Sequence, residues 1–150
     1  ATVSVGARIR FWTASRGGSR VITAQRNKYL ETAVQTATPA QLLIMLCDGA
    51  IRFLRQSIEA IQKKNYTAAN EYLLRTQDII SEFAITLDRS AEIAGPLSRL
   101  YEYFNYRLVQ ANIKKSAEPA EEVLGYLVEL RETWAQAAQQ LKQQPPTVTK

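Results

Sequence analysis

Few side chains in this 150-residue chain are placed to do covalent chemistry. Cys47 is the only cysteine and there is no histidine, so a thiolate nucleophile would have no imidazole base. A Glu-x-x-His di-iron site and a phosphotransfer histidine are excluded on the same ground. Glu121 and Glu122 are adjacent carboxylates, but beside Pro119 they read as charges that favour a helix N-terminus rather than as an acid–base pair. The six glycines are too scattered to cradle a phosphate, and no serine sits in a triad context. No catalytic, cofactor or metal residue is therefore expected. The side chains with chemistry to offer are apolar: Ile44, Ile51 and Ile58; Tyr72, Ile79 and Phe83; Tyr106, Val109 and Ile113; Leu124 and Val128. Each set recurs at helical spacing beside a separate apolar face. What such strips can supply is burial of a partner's apolar side chains, worth about 1.5–3 kcal/mol for each large residue covered.

Four helices are needed to carry these strips. The first is marked by a capping box, with Thr38 as N-cap, Pro39 at the first helical position and Gln41 where a Gln or Glu reaches back. It runs until Asn65, with Leu43, Ala50, Leu54 and Ile61 along the centre of an apolar arc of roughly 200°, wider than a core-facing helix needs. Cys47 falls inside that arc and reads as a small buried hydrophobe. The second helix is expected from Tyr66 to Leu87 around Ala69, Leu73, Ile80 and Ala84. After a link over residues 88–95, the third takes Pro96 into its first turn and runs to Lys115 around Leu97, Leu100, Tyr101, Phe104, Leu108 and Ala111. The fourth opens at Pro119 and carries Val123, Leu127, Leu130, Trp134 and Leu141 in alternating four- and three-residue steps, a bundle seam. Short links between helices make neighbours antiparallel. The expected fold is all-α: an antiparallel up-down-up-down four-helix bundle with an N-terminal arm.

The expected boundaries are an unstructured extension or processing remnant over 1–20, the arm over 21–37, the bundle over 38–143 and a disordered tail over 144–150. Four helices of this length share one core and cannot each turn two faces toward it. Any single strip has the alternative of closing the bundle core or lying under the arm of residues 21–37, but not all can, so the strips together are expected to leave exposed grooves for a partner.

Charge is unevenly placed. Residues 1–28 hold six basic and no acidic side chains, while the rest of the chain holds thirteen basic and fourteen acidic ones, so the overall +5 belongs to the N-terminal segment. A nucleic-acid reader would show its basic patch on the folded part, and none is expected here. Gln41 and Asp48 interrupt the best apolar run, so no membrane insertion is expected. One cysteine permits no intramolecular disulfide and is compatible with the cytosol.

Against this background the chain resembles the flagellar secretion chaperones of the FliS family. Thr36-Ala37-Thr38-Pro39, Leu42, Leu46 and Asp48-Gly49-Ala50 resemble that family's opening pattern. Leu100-Tyr101-Glu102-Tyr103, Arg107-Leu108, Ala111-Asn112 and Lys114-Lys115 resemble its third-helix signature, and Leu130-Arg131-Glu132 with Trp134-Ala135 its closing one. The likeness spans about residues 27–138. Upstream, Asn27-Lys28-Tyr29 is similar to the family's Asn-Pro-Tyr, with Lys28 in place of proline.

The resemblance implies a cytoplasmic, non-enzymatic chaperone without a cofactor: a monomer that binds the C-terminal region of flagellin, prevents early polymerisation and assists delivery to the export gate. It implies that the client wraps the bundle, that the arm shares part of the same surface, and that Tyr29 takes part in handover to the export-gate protein. An anti-sigma factor is a further partner known in such a family. The competing reading from the strips alone is a helical structural adaptor or a homo-oligomerising bundle.

Overall fold

The computed structural model describes residues 38–143, with side-chain exposure through Gln140. The expected extension, the arm with Tyr29 and the tail over 144–150 lie outside the described residues. The chain divides into two compact units, Ala1–Leu42 and Leu43–Lys150. Of the first, residues 38–42 are described, and they form the start of a helix.

Four helices account for the described residues and no strand occurs among them: α1 over Pro39–Gln62, α2 over Tyr66–Thr86, α3 over Ala94–Lys114 and α4 over Ala117–Gln143. The start of α1 is the expected capping box. The Thr38 N–H donates to Gln41 Oε1 at 2.9 Å, and the Gln41 N–H donates to Thr38 Oγ1 at 3.2 Å. Two orphan amide donors are satisfied reciprocally, which fixes where the helix begins.

The end of α1 is equally local. Lys64 takes a left-handed conformation (φ 61°), the Asn65 N–H donates to Ala60 O at 2.8 Å and the Lys64 N–H to Ile61 O at 3.0 Å. This is the Schellman arrangement, which satisfies carbonyls left open by the last turn. Asn65 then starts α2, its Oδ1 accepting the Ala68 N–H at 3.3 Å. One residue thus stops one helix and caps the next. The C-terminus of α3 repeats the device, with Lys115 left-handed (φ 50°) and the Ser116 N–H donating to Ala111 O at 3.1 Å.

The link between α2 and α3 turns on Asp88, whose Oδ1 accepts the Ser90 N–H at 3.0 Å and the Ser90 hydroxyl at 2.6 Å. These bonds, the side-chain one foremost, hold the Asp88 carboxyl below its usual pKa. The third helix begins at Ala94, two residues before Pro96, and has no side-chain cap.

The largest fully buried side chains are Phe53, Phe83, Phe104, Leu54, Leu73, Leu108, Leu127 and Val123, drawn from all four helices. Aromatic rings join them: Phe53 stacks on Tyr72 at 6.2 Å between α1 and α2, and Phe83 stacks on Tyr101 at 5.4 Å between α2 and α3. Phe83 also meets Trp134 of α4 at 5.5 Å, so the seam residue Trp134 reaches the core as its spacing implied. Ser57 and Thr76 are the buried polar residues, and each hydroxyl donates to a carbonyl of its own helix, Leu54 O at 2.7 Å and Tyr72 O at 2.8 Å. That removes the penalty of burying an unpaired hydroxyl.

Polar bridges tie the helix edges. Asn112 of α3 donates to Asn70 of α2 at 2.8 Å, and Arg131 of α4 pairs with Asp48 of α1. Among the described residues no helix is long and apolar enough to cross a membrane.

Candidate functional site

The strips singled out in the sequence do not share one fate. On α1, Ile44 is half-buried, while Ile51 (7 % exposed) and Ile58 are buried. On α2, Tyr72 is half-buried and Ile79 and Phe83 (1 % exposed) are buried. On α4, Leu124 and Val128 are half-buried. Only the α3 strip is open, with Tyr106, Val109 and Ile113 exposed at 58 %, 39 % and 77 %. Ile51, Ile58, Ile79 and Phe83 therefore take the alternative left open for any single strip, that of closing the core.

The reason is angular. At 100° per residue, Ile51 and Ile58 lie about 60–80° from the centre of the α1 core face, and Phe83 and Ile79 about 70° and 110° from that of α2. A helix in a bundle has two neighbours, and their side chains cover its flanks as well as its centre. Ile113 and Tyr106 lie about 160–180° from the α3 core line, and Val109 about 120°, beyond the reach of either neighbour. Angle from the core centre was thus the signal in the sequence that separates buried flank from outward face.

Sequence reasoning missed the two tyrosines and the polar network that border this face. Tyr103 and Tyr126 are both exposed, Tyr126 with its ring 5.7 Å from that of Phe104. The Tyr103 hydroxyl donates to Glu122 Oε1 at 2.6 Å, and Arg107 Nε donates to the same oxygen at 2.9 Å. Arg107 also donates to Gln110 Oε1 at 2.7 Å, and Gln110 Nε2 donates to the Tyr106 hydroxyl at 2.9 Å. Glu118 lies 3.5 Å from the Arg107 guanidinium. The Tyr103 hydrogen bond, then that of Arg107, holds the Glu122 carboxyl below its ordinary pKa, and the carboxylate in turn raises that of the Tyr103 phenol. Tyr106 and Tyr103 are therefore oriented by bonds across and along the helices rather than left to rotate freely. The face offers apolar area with its polar tips already fixed.

A second polar and aromatic group lies between α1 and α2. The Arg52 and Arg75 guanidinium carbons stand 5.3 Å and 6.0 Å from the Phe53 ring centroid, and Arg75 also pairs with Glu71 at 2.9 Å. Cations over the ring favour a fixed ring, which supports the Phe53–Tyr72 stack.

Cys47 is fully buried, and burial first, then the Asp48 charge, pushes its thiol up to about 12. At neutral pH it is a thiol without nucleophilic character, in keeping with its reading as a small hydrophobe. Tyr101, buried beside it, is likewise pushed up to about 12 by desolvation.

The chain is similar to known proteins over most of its length. A family model described as "Flagellar protein FliS" matches residues 22–141. The chain is 40 % identical over 111 residues to the flagellar secretion chaperone FliS of Bacillus subtilis (strain 168), covering 74 % of this chain and 84 % of that one. It is 36 % identical over 118 residues to the flagellar secretion chaperone FliS of Salmonella typhimurium, covering 77 % and 87 %. To the flagellar secretion chaperone FliSB of Pseudomonas aeruginosa it is 32 % identical over 107 residues, covering 70 % and 85 %.

Proposed function

Since the chain belongs to the flagellar protein FliS family, a family of chaperones and not of enzymes, we propose that it binds the C-terminal region of flagellin in the cytoplasm, prevents its early polymerisation and assists its delivery to the export gate. The family match over residues 22–141 carries this reading, since it takes in α1, α2, α3 and all but the last two residues of α4. The open α3 face supports it, because a secretion chaperone needs apolar surface that its own core does not use.

The client contact is assigned to Tyr106, Val109 and Ile113, extended by Tyr103 and Tyr126. Exposed apolar side chains at positions 106, 109 and 113 repeat at the three- and four-residue steps that an amphipathic client helix matches. Leu124, Val128, Ile44 and Tyr72 are half-open edges that a wrapping client can reach. Ile51, Ile58, Ile79 and Phe83 hold the helices beneath and would meet a client only if the bundle loosened. The reading takes the four helices as an antiparallel bundle. It is supported by the order of cross-helix pairs, in which positions rise along α2 from Asn70 to Phe83 as they fall along α3 from Asn112 to Tyr101.

The test is to mix the chain with a synthetic flagellin C-terminal segment and measure complex size and affinity. A one-to-one complex lost on Tyr106→Glu or Ile113→Glu supports the assignment. Self-association with no uptake of the segment would instead favour the adaptor reading. The expected role of Tyr29 in handover is carried as part of this proposal: Tyr29→Ala should leave segment binding intact and lower export.

A further inference from the structure

Two of the groups behind the client face can play only one part in a hydrogen bond. Arginine carries donors and no acceptor, and an ionised carboxylate carries acceptors and no donor. Arg107 and Glu122 are such groups, and both are tied to the face. The half-buried Arg107 donates through Nη1 to Gln110 Oε1 at 2.7 Å, and Glu122 Oε1 accepts the Tyr103 hydroxyl at 2.6 Å and Arg107 Nε at 2.9 Å. Glu122 is ionised at neutral pH, since those bonds, the Tyr103 one foremost, hold its carboxyl below the ordinary range.

From these two groups the direction of the remaining bonds follows. With its oxygen on Arg107, the Gln110 carboxamide must turn its NH2 the other way, and Nε2 donates to the Tyr106 oxygen at 2.9 Å. The Tyr106 oxygen is thus engaged as an acceptor, and its hydrogen is used by no bond among the described residues. At Tyr103 the order is reversed: its one hydrogen is committed to Glu122, which leaves only the oxygen lone pairs. A free tyrosine donates or accepts as its partner requires. Here the exposed Tyr106 offers a donor outward and the exposed Tyr103 an acceptor.

We propose that Arg107, Gln110 and Glu122 set the hydrogen-bond polarity of the client face and so select a client helix that carries side-chain carboxamides, with a carbonyl oxygen for Tyr106 and an N–H for Tyr103. The inference rests on the reading of the α3 face as the client surface. The matching groups have to come from client side chains, because a docked helix uses its backbone donors and acceptors internally. Both tips are neutral phenols, so a carboxamide meets them at a smaller desolvation cost than a carboxylate or an ammonium. A client of the wrong polarity is rejected, because a covered donor or acceptor left unpaired keeps its full desolvation penalty. Arg107, Gln110 and Glu122 act as positioning residues, and the client meets the two tyrosines.

The test is Gln110→Glu in the full chain. A carboxylate of the same shape still holds Arg107 but has no donor, so the Tyr106 hydroxyl must donate inward to it and present an acceptor outward. The ring stays oriented while its polarity reverses, a change that a merely structural role for Gln110 would not register. Binding of the synthetic flagellin C-terminal segment, measured by calorimetry, should fall about tenfold, and Tyr106→Phe alone should cost a similar factor. In the Tyr106→Phe background no hydroxyl remains to reverse, so Gln110→Glu should there change binding less than about twofold, which separates polarity from the added charge. Urea unfolding should place Gln110→Glu at or above the parent midpoint, since Arg107 gains a carboxylate partner, and lost binding cannot then be assigned to misfolding. Replacing each Asn and Gln of the segment singly by leucine should find one at which parent and Gln110→Glu bind alike. Parent-like binding by Gln110→Glu, an equal loss in both backgrounds, or a scan in which no carboxamide matters would each overturn the proposal. A parent chain that takes up no segment fails the chaperone reading itself, a result distinct from all three.

Discussion

Replacing Ile51 by glutamate tests the division between buried flank and open face directly. Ile51 is 7 % exposed and Ile113 is 77 % exposed, although both belong to strips with the same helical spacing. Ile51→Glu forfeits the burial of a large aliphatic side chain, about 1.5–3 kcal/mol. It also puts a carboxyl into the flank of α1. Holding that group neutral at pH 7 against a solution pKa of about 4.3 costs roughly 3.7 kcal/mol, less if the side chain bends to water. The sum is about 3–6 kcal/mol, a large part of the roughly 5–15 kcal/mol that stabilises a domain. Ile113→Glu should stay within about 0.5 kcal/mol of the parent, as surface changes do. Urea unfolding followed by far-UV circular dichroism measures both. A pH series adds a sign. The introduced carboxyl has a folded-state pKa raised above its unfolded value, so the folded state binds the extra proton and the penalty grows as pH rises above about 4.3. Ile51→Glu should accordingly lie closest to the parent in mild acid. If Ile51→Glu loses less than about 1 kcal/mol at neutral pH, its side chain reaches open solvent and the angular argument fails.

Lys115→Gly should raise the urea midpoint by the equivalent of about 0.5–1 kcal/mol, since it removes a side chain from a left-handed backbone position; an unchanged or lower midpoint would mean that the Lys115–Asn112 bond outweighs the strain. Thr38→Ala should cost about 1 kcal/mol by opening the capping box, with the loss read as lower amide protection confined to the first turn of α1. Tyr103→Phe should move the Glu122 carboxyl up toward its ordinary range in an NMR titration, because the Tyr103 hydroxyl is the first cause of its depression. The Glu122 contribution, present above the unfolded-state pKa and lost as pH falls through the folded one, should shrink in the same variant.

Much of this architecture is decided within single stretches of chain. Thr38, Pro39 and Gln41 fix the start of α1 because a capping box needs only neighbours three residues apart. Asn65 ends α1 and begins α2 for the same local reason. Leu54, Leu73, Phe104, Leu108, Val123 and Leu127 were legible as core because a repeat of 3.6 residues states which side of its own helix each occupies. The absence of histidine and the isolation of Cys47 restricted the chemistry without reference to any fold. Periodicity gives an angle within one helix, however, and says nothing of where the neighbouring helices stand. Whether Phe83 faces a client or the rings of Tyr101 and Trp134 was decided only when α3 and α4 took their places beside α2. The pairs Tyr103–Glu122, Asn70–Asn112 and Asp48–Arg131 are 19, 42 and 83 residues apart, and no local rule relates such positions. The same assembly leaves Tyr106, Val109 and Ile113 outermost, since a helix with a neighbour on each flank has only its far side left for a partner.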